Sequence, residues 1–138
     1  MRFHVIALPH TQVTENYFSC AYSFKTHGFV RQMISLGHEV FLYAGEETTC
    51  DPTELITCIS EEQRAEAVGN NHFTSTSFDN TLPHWQIFNG NAIKEIKKRI
   101  QPKDFICIIG GTAQKQVYGV LPEGGMGGFP LIKYIINL

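Results

Sequence analysis

Neither sign of charge predominates in this chain: 11 Lys and Arg stand against 13 Asp and Glu, a formal net charge of −2. Binding nucleic acid through its phosphates calls for a cationic surplus, so no whole-chain footprint for nucleic acid is present. The four cysteines, Cys20, Cys50, Cys58 and Cys107, include no C-x-x-C pair, which removes the usual zinc spacing. They are read as reduced, with Cys107 serving as a small hydrophobe in an apolar run. The six histidines form neither H-x-x-x-H nor H-E-x-x-H, and no structural metal is expected. No apolar run approaches the roughly 20 residues of a membrane span, and the first one stops at Pro9, short of a signal sequence. N-x-S/T is missing as well. These absences predict a cytoplasmic chain that does not span a membrane and does not bind nucleic acid. A length of 138 residues predicts a single domain over 1–138.

Catalytic signatures are equally scarce. Gly110-Gly111-Thr112 is followed by no G-K-S/T, so it is not a P-loop, and Gly124-Gly-Met-Gly-Gly128 lacks the G-x-G-x-x-G of a dinucleotide site. No G-x-S-x-G elbow or Cys–His nucleophile arrangement points to hydrolysis.

What is present is an alternation of strand-like and helix-like segments. Arg2–Leu8 carries a nearly continuous apolar run, Val5-Ile-Ala-Leu8, as a strand buried on both faces requires. Tyr17–Leu36 repeats its apolar residues every three or four positions, and Gly37 fits the left-handed position past a helix end. Glu39–Ala44 is aromatic and β-branched, a second strand ending in the acidic loop Gly45-Glu46-Glu47. Leu55–Ile59 is a shorter third strand, and Ser60-Glu-Glu-Gln63 matches a capping box for a helix through Val68. Gly69–Thr81 is a polar surface loop. Pro83 opens a helix that includes Trp85, assigned to the core, and Pro102 ends it. Asp104–Ile109 is the clearest buried strand and is expected beside the first. A short helix over Ala113–Leu121, a glycine-rich stretch over Glu123–Pro130 and a last strand over Leu131–Ile136 complete the chain. The fold class is α/β: three layers, with a mostly parallel sheet between helices.

In such sheets ligands bind outside the carboxyl ends of the strands. That singles out His10, Thr11 and Thr14 behind the first strand, Glu46 behind the second, and Gly110, Gly111 and Thr112 behind the fourth. His10 titrates near neutrality and suits a general base or a hydroxyl contact; it equally suits an ordinary loop position. Glu46 suits sugar hydroxyls or proton transfer, or plain solvation. The Gly110 and Gly111 amides suit a phosphate or sugar hydroxyl, or a tight strand-to-helix turn. Asn70, Asn71 and His72 share only the composition of a carbohydrate-facing surface.

Taken together, Met1-Arg-Phe-His-Val-Ile-Ala-Leu-Pro-His-Thr-Gln-Val-Thr14, Leu36-Gly-His-Glu-Val-Phe-Leu-Tyr-Ala-Gly-Glu46 and Gln101-Pro-Lys-Asp-Phe-Ile-Cys-Ile-Ile-Gly-Gly-Thr-Ala-Gln-Lys115 resemble the amino-terminal half of GT-B glycosyltransferases, in the group with glycogen-synthase-like and mannosyltransferase-like retaining enzymes. The resemblance runs from residue 1 to about 122 and implies a Rossmann-like domain on the acceptor side of a two-domain cleft. It implies transfer of a sugar from a nucleotide-sugar co-substrate to an acceptor hydroxyl, with no tightly bound cofactor and no metal needed. The carbohydrate or glycan acceptor would be held here, with His10 as the catalytic candidate. The donor would be held by a carboxyl-terminal domain absent from this chain, leaving the chain weakly active or inactive alone and its docking face open to self-association. The alternative from the residues themselves is a non-catalytic Rossmann-like ligand-binding or interaction module.

Overall fold

The computed structural model describes residues 1–69, 78–114, 117 and 131–133. Five strands, β1 (Arg2–Ile6), β2 (Glu39–Ala44), β3 (Glu54–Thr57), β4 (Phe105–Ile108) and β5 (Leu131–Lys133), form one sheet. Their order is β3-β2-β1-β4-β5, and every pairing is parallel. The apolar run of β1 is explained by its place: Val5 and Ile6 lie between two strands and beneath helices on both faces, with no exposure.

Alternation along the strands sorts the core into two layers. Phe3, Val5, Val40, Leu42 and Cys107 pack with Phe29 and Val30 of α1 (Ala21–Ser35). Ile6, Phe41, Tyr43, Ile56, Ile106 and Ile108 pack with Phe88, Ala92 and Ile96 of α3 (Pro83–Arg99). Full burial of each large apolar side chain contributes about 1.5–3 kcal/mol, so the sheet is held from both sides and the three-layer expectation holds.

Helix ends follow their local chemistry. Gly37, at φ +86°, closes α1: its N–H donates to the Ile34 carbonyl and that of His38 to the Met33 carbonyl, a Schellman arrangement. At the start of α2 (Glu61–Val68), Ser60 accepts from the Gln63 amide while the Gln63 side chain accepts from the Ser60 amide, the capping box read from the sequence. Pro83 occupies the first turn of α3.

Several boundaries differ from the sequence reading, β1 ending at Ile6 rather than Leu8 and β4 spanning Phe105–Ile108 rather than Asp104–Ile109. The helix expected from Tyr17 begins at Ala21, because Glu15–Tyr17 forms a separate 3-10 turn and Cys20 is extended at φ −82°, ψ 112°. The third strand runs over Glu54–Thr57 rather than Leu55–Ile59; the Cys58 N–H still donates to the Ala44 carbonyl, as the next bond of the parallel β2–β3 ladder, before the chain turns into the Ser60 cap of α2. After β4, Gly111–Gln114 forms a 3-10 turn. Residues 70–77, with Asn70, Asn71 and His72, and residues 118–130, with the glycine-rich stretch, lie outside the described residues. Among the described residues no helix is long and apolar enough to cross a membrane.

Candidate functional site

The chain steps outward from β1 to β2 to β3, then returns over the sheet through α3 to place β4 on the other side of β1. Strand order therefore reverses between β1 and β4, and the loops leaving their carboxyl ends diverge there. This is the place where open α/β sheets form a binding crevice.

The loop behind β1 lies inside the protein. Every residue from Ala7 to Thr14 is buried, including His10, Thr11, Gln12 and Thr14. Buried backbone and side-chain polar groups need partners, and neighbouring loops supply them. Thr11 Oγ1 lies 2.6 Å from Ser23 Oγ of α1. The Val13 carbonyl accepts from the Thr48 hydroxyl at 2.9 Å and from the Thr49 amide at 3.2 Å, so an isolated bridge carries the β1–β2 pairing past both strand ends. The Gln12 side chain accepts from the Glu47 amide at 3.1 Å and donates to Glu61 Oε2 at 2.7 Å. Gly45 permits this approach: a Cβ there would sit 2.3 Å from Gln12 Oε1.

Arg64 completes the clamp. Its guanidinium grips Glu61 in a fork at 2.7 and 2.8 Å, reaches the His10 carbonyl at 3.4 Å and lies over the Tyr17 ring. Arg64 is only 5% exposed, and the Glu61 carboxylate raises its pKa, so it is a fixed cation under the loop. Gln114 plays the matching part behind β4. Its Oε1 accepts from the Ile109 and Gly110 amides at 3.2 and 2.7 Å, and its Nε2 donates to the Ala7 carbonyl at the end of β1. One carboxamide thus staples β1 to β4 at the reversal point.

Placement of the candidates follows. His10 is 1% exposed, its ring 5.7 Å from Phe78 and 6.2 Å from Trp85. Thr11 and Thr14 line the same buried loop. Glu46 is exposed, and its Oε1 accepts from the Glu61 amide at 3.1 Å, capping α2 beside the β1 loop. The Gly110 N–H is taken by Gln114. Gly111 lies in the turn that presents Gln114, with Thr112 following it. The strand ends bring His10, Thr11, Gly110 and Gly111 to one side of the sheet, with Glu46 at its rim.

Gln12, Ser23, Glu61, Arg64 and Gln114 went unread in the sequence. Glu61 alone carried a local signal, as the first residue after a capping serine. Burial pushes the Cys58 and Cys107 thiols up to about 12, so neither is an activated nucleophile. No protein family, curated protein or solved structure matches the chain.

Proposed function

We propose that this chain is the acceptor-side half of a GT-B-type glycosyltransferase, taking part in transfer of a sugar from a nucleotide-sugar donor to an acceptor hydroxyl. One observation carries the reading. The three sequence stretches with GT-B character fall on β1, β2 and β4 with their following loops, and these strands are neighbours whose carboxyl ends flank the reversal of strand order. Rate enhancement then comes from holding acceptor and donor in register and stabilising the departing diphosphate. Glu46 is the rim contact open to solvent, and His10, Thr11 and Thr14 form the floor. Gly110 and Gly111 set the opposite wall through Gln114.

The non-catalytic binding module is the second reading, favoured by the way Gln12 and Gln114 already engage the loop amides. Isothermal titration against a panel of nucleotide sugars and free glycans tests the first. The expected outcome is heat from a glycan and none from any nucleotide sugar, with glycan affinity lowered in His10→Ala and Gly111→Ala proteins that still fold. Tight nucleotide-sugar binding by this domain alone, or no glycan binding at all, overturns it. A glycan that binds yet accepts no sugar when a donor-side domain and donor are supplied favours the module.

A further inference from the structure

His4 is an ionisable side chain with no exposure, set in the centre strand of the sheet and stacked on Phe41 with ring centroids 5.0 Å apart. Its Nε2 lies 2.7 Å from Asp104 Oδ2 and its Nδ1 lies 2.8 Å from the Tyr43 hydroxyl. The Asp104 carboxylate also accepts from Arg2 Nε at 3.1 Å and from the Gln101 amide at 3.0 Å. A carboxylate donates nothing, so the ring proton sits on Nε2 and Nδ1 accepts from Tyr43. Tyr43 is itself fully buried, and its hydroxyl has no second partner among the described residues.

We infer that the chain Tyr43–His4–Asp104 is an acid-sensitive lock across β2, β1 and the lead-in to β4, released when His4 takes up a second proton. Protonation turns Nδ1 into a donor. The Tyr43 hydroxyl must then rotate to accept, and its proton is left facing the apolar layer of Ile6, Ile56 and Ile106. A buried donor without an acceptor is costly. The new charge meets mixed surroundings. Asp104 faces it from the lead-in to β4, but this carboxylate already serves Arg2 of β1. Arg99 adds a cation from the end of α3, partly offset by its pairs with Glu54 of β3 and Glu95 of α3. An open hollow of about 490 Å³, lined by Arg2, Glu39, Gln101 and Asp104 among others, brings solvent to this end of the sheet.

The direction of the His4 equilibrium agrees with the geometry. Burial holds its pKa below the ordinary 6.5, Asp104 raises it without cancelling that, and Arg2 and Arg99 lower it further. The folded state therefore binds fewer protons than the unfolded chain in this window. Stability is complete above 6.5 and is lost as pH falls from there toward the lowered folded value.

The test is a long-range proton–nitrogen NMR titration of the histidine rings in the full chain, with His4→Gln assigning the His4 signals. Amide exchange across the β1–β2 pairs is followed in parallel. The expected result is the Nε2–H tautomer at neutral pH, a His4 midpoint below 6.5, and amide protection that falls with that same midpoint. His4→Gln should lose this step while the other histidines titrate unchanged. If that variant does not fold, backbone-to-ring correlations in the parent chain assign His4 instead. An Nδ1–H tautomer, a midpoint at or above 6.5, or protection that ignores the His4 midpoint overturns the lock.

Discussion

Close packing sets the tightest constraint on the β1 loop. A methyl group at Gly45 meets Gln12 Oε1 at 2.3 Å. The far end of a glutamine normally moves at little cost, but this one is 2% exposed and holds the Glu47 amide and Glu61. Gly45→Ala should therefore cost two hydrogen bonds, one of them to a carboxylate, about 2–4 kcal/mol, read as a lower urea midpoint at unchanged slope. Gln12→Ala in the same background should show little additional loss, because the contact is already broken. Asp104, at the opposite end of the sheet, is constrained by charge rather than by space. It serves Arg2, His4 and the Gln101 amide at once, and removing one partner of a buried charged network leaves the rest uncompensated. Asp104→Ala is expected to cost about 3–5 kcal/mol by equilibrium denaturation, far more than removal of exposed Glu39 from the same Arg2. None of this was legible in the sequence. His4 stands in an apolar run like any strand residue, and its partners are 39 and 100 positions away.

At the scale of elements, the sequence specifies structure where chemistry is local. The Ser60–Gln63 box and the Gly37 cap each rest on contacts within six residues, so their signals survive without tertiary information. The start of α1 departs from the periodicity for the opposite reason. Periodicity continues through Phe18, but the chain is first turned at Glu15–Tyr17 after its bridge to Thr48, and an extended Cys20 begins the helix anew. The short helix α2 depends on its box and also carries Glu61 and Arg64 beneath the crevice loop. Ser60→Ala should cost about 1 kcal/mol in chemical denaturation. It should also raise amide exchange at Glu47, whose partner Gln12 is anchored on Glu61; unchanged exchange there would separate helix capping from the loop clamp.

For the whole molecule, acid should act in two stages. His4 and His84 are both held below the ordinary 6.5, chiefly by burial. Each contributes stability that is present above that value and declines as pH falls from it. Glu54 and Glu95 are lowered below the usual 4.5, Glu54 chiefly by its hydrogen bond to Arg99 and Glu95 chiefly by that to Lys98. Their contribution begins to fall only near 4.5 and continues to the lowered folded values. Urea midpoints measured across pH should decline first in a step little affected by salt, from buried His4 and half-buried His84, and then in a step weakened by added salt, since Glu54 and Glu95 lie near the surface. A single step that disappears in salt would remove the histidines from this account.

The sequence alone determined the order of strands and helices, the caps, and the placing of His10 and Gly110 at strand ends, because periodicity, capping and turn chemistry act over a few residues. Tertiary structure alone decided that the β1 loop is buried, and that Gln12, Arg64 and Gln114 hold it. Those outcomes depend on contacts between residues tens of positions apart, and a polar side chain acquires its role only when the fold brings it a partner.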